Sequence, residues 1–131
     1  MNELEEALDL LAAARRDVTA LQVMMDPAIV AEEIFGFHVQ QAAEKMLKAW
    51  LAVLGAEYPR THDIGILLRL LAPLSLDVAE LSHLVRWNLF AVQFCSSTWE
   101  SSGEPLDRPA ARTTVADLFE KVNAIVLARQ T

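Results

Sequence analysis

One stretch limits what this chain can fold into more than any other. From Pro27 to Leu54 the sequence holds almost no helix breakers. Phe35, Val39, Ala42, Met46, Ala49 and Val53 recur at helical spacing as one apolar stripe. Ala43, Leu47, Trp50, Leu51 and Leu54 add a second stripe. A helix with two apolar stripes has to be covered on more than one side, which places it at the centre of a bundle. Asp26-Pro27 reads as its N-cap and first position, and Gly55 as its C′ stop, with Pro59 confirming the end. Gln40, Gln41, Glu44, Lys45 and Lys48 interrupt the rest of its surface, and Glu44 and Lys48 stand in the favourable i,i+4 order for an ion pair.

The flanking segments supply what such a helix needs. Leu4, Leu8, Leu11, Val18, Leu21 and Met25 predict an amphipathic helix from about Asn2 to Met25. After Pro59 the sequence Thr61-His62-Asp63 opens a shorter helix carrying Ile64, Leu67, Leu68, Leu70 and Leu71, with Thr61 as its N-cap and Pro73 ending it. Ser75 or Asp77 starts a fourth helix with Val78, Leu81, Leu84, Val85, Leu89 and Val92, which loses definition near Cys95. A Ser- and Gly-rich loop runs from Ser96 to Pro105. Asp107-Arg108-Pro109 reads as the cap and first turn of a last helix, with Ala111, Val115, Leu118, Phe119, Val122, Ile125 and Val126 buried. No strand-period segment and no internal repeat is visible. The expectation is an all-α protein: an antiparallel bundle of four main helices with one short additional helix, in a single domain spanning residues 1–131.

Bulk properties narrow the function classes. A chain of 131 residues can bury about two-thirds of its unfolded surface and needs no disulfide or metal to fold. With 11 Lys+Arg against 18 Asp+Glu, the net charge of −7 repels long nucleic acid rather than gathering it. The single cysteine, Cys95, excludes an internal disulfide and fits a reducing compartment. The acidic N-terminus lacks the basic start of a signal peptide, and no apolar run reaches the ~20 residues of a membrane span. The expectation is a cytoplasmic protein without a membrane segment.

No complete catalytic constellation stands in the sequence. His62 beside Asp63 could act as a general base, with Arg60 holding a phosphate. Adjacent helical residues do not face each other, so the reading of these residues as a helix start is favoured. Lys45, Lys48, Arg60 and His62 are the nucleotide-binding candidates at the end of the long helix, against the plainer reading of a solvated face with one ion pair. His38 and His83 stand alone, without a second ligand at metal spacing, and no metal or other cofactor is expected. Trp87, Phe90, Phe94 and Trp99 form an aromatic cluster that could stack a base but reads rather as core or as an interface between copies; Trp87, Phe90 and Phe94 are the interface candidates. There is no Walker loop or dinucleotide fingerprint.

The central stretch resembles the HEPN domain family. The residues that carry the resemblance are Gln40-Gln41-Ala42-Ala43-Glu44-Lys45, then Leu47-Lys48-Ala49, Leu51, Gly55, and Pro59, Thr61-His62-Asp63 and Leu67-Leu68. The resemblance implies a small helical bundle that forms a homodimer. In one related group it also implies a minimal nucleotidyltransferase partner from a neighbouring gene, many such pairs acting as toxin and antitoxin. Active members of the family are metal-independent ribonucleases with an Arg-x4-6-His motif late in the domain, assembled at the dimer interface. This chain departs from that pattern. Arg86 has no His following at that distance, and His83 precedes it. A second group carries an Arg-Tyr pair, and the matching place here holds Cys95-Ser96. These departures weigh against catalysis, and no catalytic residue is assigned. The sequence reading is therefore a non-catalytic, homodimeric HEPN-type module that binds a nucleotidyltransferase, a nucleotide, or both. The competing reading is a divergent ribonuclease that uses Arg86 with His62 or His83 across a dimer.

Overall fold

The structure is a computed structural model that describes residues 2–93 and 105–130. All regular structure among them is helical: α1 Glu3–Val23, α2 Glu32–Val53, α3 Ile64–Leu71, a 3-10 segment Leu76–Trp87, α4 Asn88–Gln93 and α5 Arg108–Ala128. The long helices α1, α2 and α5 pack against one another, and α2 also meets α3, the 3-10 segment and α4. Its central place follows from its two stripes. Phe35, Val39, Ala42, Met46 and Ala49 are fully buried on one, and Ala43, Leu47 and Leu51 on the other.

Helix ends follow local chemistry in most places. Asn2 caps α1 by accepting from the Glu5 N–H at 2.8 Å. α2 closes in a Schellman motif: Gly55 at φ +76°, its N–H on Ala52 O, and the Ala56 N–H on Leu51 O. Asp107 caps α5 through the Ala110 N–H, with Pro109 in the first turn, as expected.

Other expectations need correction. Asp26 does accept from a backbone N–H two residues on, at Ala28, but this makes an isolated turn, and α2 begins only at Glu32. The reason lies far away in sequence. Arg108, only 5% exposed, donates Nη1 to Met24 O and Nη2 to Val30 O, holding the connection open from outside. The α3 cap is Asp63, whose Oδ1 accepts from the Gly65 N–H at 2.8 Å, while Thr61 Oγ1 accepts from the Asp63 N–H. On α1 the fully sealed positions are Ala7, Ala14 and Leu21, while Leu4, Leu8 and Val18 are half-buried.

The expected fourth α-helix is a 3-10 segment up to Trp87, followed by the short α4. The spacing of its inward residues accounts for this. Val78, Leu81, Leu84 and Trp87 fall every third residue, and a 3-10 helix stacks such residues in one row. Val78, Leu84 and Trp87 are buried and Leu81 partly so, whereas Val85, expected inside, is 40% exposed. Asn88, where the 3-10 segment gives way to α4, locks this unit to α3: its Oδ1 accepts from the Ile64 N–H and its Nδ2 donates to Asp63 Oδ1, both at 2.8 Å.

Gly36 lets α4 approach α2. A Cβ there would lie 2.2 Å from Phe90 Cδ1 and 2.5 Å from Cγ, too near the ring's base for a small rotation to relieve. Gly36→Ala is expected to lower stability by about 1–3 kcal/mol despite alanine's higher helix propensity. Urea unfolding followed by circular dichroism checks this, and an unchanged or raised midpoint would refute the close packing.

Candidate functional site

The polar residues of α2 face two neighbours, α1 and the connection from Gly55 to Asp63. That connection is held at both ends. Tyr58 Oη donates to Glu6 Oε1 at 2.7 Å, tying it to α1. Gln40, fully buried, donates Nε2 to the His62 backbone carbonyl at 2.9 Å, tying it to α2. His62 is thereby set beside Glu44.

Glu44 is the hub of the site and is only 4% exposed. Its Oε1 meets His62 Nδ1 at 2.8 Å and accepts from Gln40 Nε2 at 3.1 Å, and its Oε2 accepts from Lys48 Nζ at 3.0 Å. Gln41 Nε2 donates to Gln40 Oε1 at 2.8 Å and fixes the orientation of that amide. A carboxylate can only accept, so His62 Nδ1 carries the hydrogen. The i,i+4 pair of Glu44 and Lys48 is present as expected, but it is sunk into the protein rather than lying on a solvated face.

A second cluster lies on the α1 side. Asp17, 7% exposed, pairs its Oδ1 with His38 Nδ1 at 2.8 Å and its Oδ2 with Lys45 Nζ at 2.7 Å. Sequence reasoning passed over Asp17 and left His38 isolated. A signal was available: Asp17 falls on the same helical face as Ala7, Leu11, Ala14 and Leu21, and a carboxylate on a buried stripe needs a partner.

The other candidates separate. Arg60 is exposed and forms no ion pair among the described residues. Asp63 is turned to Gly65 and Asn88, so His62 finds its carboxylate on α2 and not next to it in sequence. Trp87 and Phe90 are core residues of the single chain, 0% and 5% exposed, and Phe94 lies outside the described residues, as does Cys95-Ser96. Burial pushes the Tyr58 hydroxyl well above its ordinary range, helped by the Glu6 carboxylate.

Neither His62 nor His83 hydrogen-bonds Arg86 among the described residues. His83, exposed on the 3-10 segment, has Nδ1 3.0 Å from the Glu80 carbonyl, and His62 Nδ1 is taken by Glu44. Arg86 is exposed and has no hydrogen-bond or ion-pair partner among the described residues. No group of three or more His, Cys, Asp or Glu side chains that could hold a metal occurs among the described residues. A groove of about 540 Å³ between α3 and the 3-10 segment is lined by Asp63, Leu68, Arg69, Ala72 and Val78 among others, and Lys45, Lys48, Arg60 and His62 do not line it.

A family model described as HEPN domain matches residues 4–126, nearly the whole chain. The chain belongs to the HEPN family. No curated protein and no solved structure matches it. The helical content agrees with this HEPN assignment, and no helix among the described residues is long and apolar enough to cross a membrane.

Two outcomes follow from the geometry. Glu44→Ala leaves Lys48 Nζ and His62 Nδ1 without their acceptor, Gln40 keeping only the His62 carbonyl, and is expected to cost about 3 kcal/mol, read by urea unfolding, while Arg60→Ala leaves stability unchanged. Tyr58 is the one tyrosine, so its ionisation can be followed alone. Its raised pKa means the neutral phenol favours the fold, a contribution complete below pH 10.0 and lost as pH rises beyond it. Phenolate absorbance of the folded protein should stay low at pH 10.0, where a free tyrosine is half ionised, and normal titration there would refute the buried hydrogen bond.

Proposed function

We propose that this protein is a non-catalytic HEPN module that acts as a homodimer in the cytoplasm. It binds a partner nucleotidyltransferase, a nucleotide, or both, in a toxin–antitoxin-like pair, and its long helices run antiparallel. The observation that carries this reading is the missing Arg-to-His spacing. The sequence lacks the Arg-x4-6-His motif of the ribonucleases it resembles. His62 and His83, the two that could serve Arg86, have their Nδ1 atoms at Glu44 and at the Glu80 carbonyl. General acid–base work on RNA requires an imidazole within hydrogen-bond reach of the reacting atoms and beside the group that stabilises charge.

The charge distribution supports a protein or small-ligand partner. A net charge of −7 opposes long nucleic acid, and Lys45 and Lys48 are each paired with a carboxylate. Arg60, His62, Lys45 and Lys48 remain the nucleotide-contacting candidates, with Arg60 as the cation without an ion pair among the described residues.

Purified protein incubated with RNA is expected to leave it intact, and His62→Ala should change nothing. Affinity purification from the native cell is expected to recover a nucleotidyltransferase or a bound nucleotide. RNA cleavage by the wild-type chain that disappears in His62→Ala would overturn the proposal in favour of a divergent ribonuclease.

A further inference from the structure

The groove between α3 and the 3-10 segment follows from the three-residue repeat of that segment, which sets its side chains in straight rows. Val78, Leu84 and Trp87 stand in the row turned to the core. Ala79, Ser82, Val85 and Asn88 stand in the next row and wall the groove on one side, while Leu68, Arg69 and Ala72 wall it from α3. The enclosed volume of about 540 Å³ falls inside the range of about 300–1,000 Å³ that small-molecule sites occupy.

Asp63 and Arg69 are the only ionisable side chains among the described residues lining the groove. Gly65 shows where they stand. A Cβ at that position would lie 3.1 Å from Asp63 Oδ1, 3.8 Å from Arg69 Nη1 and 3.7 Å from Val85 Cγ2. Arg69 reaches this point because it follows Gly65 by four residues and helical side chains lean towards the N-terminus. The two opposite charges are thus held at one place, beside the apolar wall, and yet they do not pair. Asp63 Oδ1 is occupied by the Gly65 N–H and by Asn88 Nδ2, both at 2.8 Å. Asp63 Oδ2 has no hydrogen-bond partner among the described residues, and Arg69 has neither a hydrogen bond nor an ion pair there.

This charge pattern selects its occupant. A simple anion at this place meets the Asp63 carboxylate, and a simple cation meets the Arg69 guanidinium. A zwitterion answers both: its ammonium donates to Asp63 Oδ2, and its carboxylate accepts from the guanidinium fork. An apolar group on the same molecule then lies along Ala72, Ala79 and Val85, the last of which is 40% exposed in the free chain. We infer that the groove binds a free α-amino acid with a large apolar side chain, Asp63 taking the ammonium and Arg69 the carboxylate. Lys45, Lys48, Arg60 and His62 do not line this groove, so the inference stands or falls independently of the proposed function.

L-Phenylalanine is the probe, added to the full chain at about pH 6, where α-amino groups are protonated and carboxylates ionised. It should shift the methyl NMR signals of Leu68, Val78 and Val85 saturably, with a Kd at or below about 1 mM, and leave those of Val23, outside the groove, in place. 3-Phenylpropionate lacks the ammonium and L-phenylalaninamide the carboxylate, and each should bind at least about tenfold more weakly. Arg69→Gln should reduce phenylalanine affinity by a similar factor, as should Asp63→Asn, in which asparagine retains the capping oxygen of α3. Should Asp63→Asn fail to fold, the ligand series and Arg69→Gln, a change at an exposed position, decide. 3-Phenylpropionate or the amide binding as tightly as phenylalanine would overturn recognition of a zwitterion. Absence of a saturable shift with phenylalanine at about 10 mM would overturn the site itself.

Discussion

Burial of the Glu44 carboxylate is the constraint from which much of the structure follows. A helix covered on several sides cannot keep all its polar groups in water, and α2 carries Gln40 and Glu44 at 0% and 4% exposure. Sequestering a carboxylate costs several kcal/mol unless opposite charge and hydrogen bonds offset it. Lys48 alone cannot satisfy both oxygens, so His62 and Gln40 complete the set. That requirement draws the connection after Gly55 against α2, with Tyr58 securing its other end on Glu6. The position of His62 sets that of Asp63, which caps α3, and Asp63 and the start of α3 are both bound by Asn88. One buried charge thus organises the path of the chain from the end of α2 to the start of α4.

The same network shapes the function this HEPN module can have. Groups that look free and cationic in sequence are already engaged: Lys45 by Asp17, and Lys48 with His62 by Glu44. An imidazole held by a buried carboxylate is rigid in rotamer and tautomer, which suits recognition. Among the described residues Arg86 hydrogen-bonds neither His62 nor His83. Of their sequence readings, Trp87 and Phe90 follow that of core residues of the single chain.

Where the reading of sequence and the structure part, the cause is a long-range contact. α2 begins at Glu32 instead of Pro27 because Arg108, 84 residues from Met24, takes the carbonyls of Met24 and Val30. The 3-10 segment was legible in principle, since Val78, Leu81, Leu84 and Trp87 repeat every third residue, yet four- and seven-residue spacings to Val85 and Leu89 fit an α-helix equally well on paper. Asp17 was missed because a charge on an apolar stripe was passed over, though its partners His38 and Lys45 lie on another helix and no local rule names them.

Sequence by itself determined the helical class, the central place of α2, its Gly55 stop, the Asp107-Pro109 start of α5, the Glu44–Lys48 pair and the HEPN membership. These depend on periodicity, backbone conformation and neighbours within one helical turn, all of which act locally. Only the tertiary structure decided which polar groups share a carboxylate: His62 with Glu44 across 18 residues, His38 with Asp17 across 21 and Lys45 with Asp17 across 28. Burial makes those pairings compulsory, and burial is a property of the packed chain, not of any stretch of it.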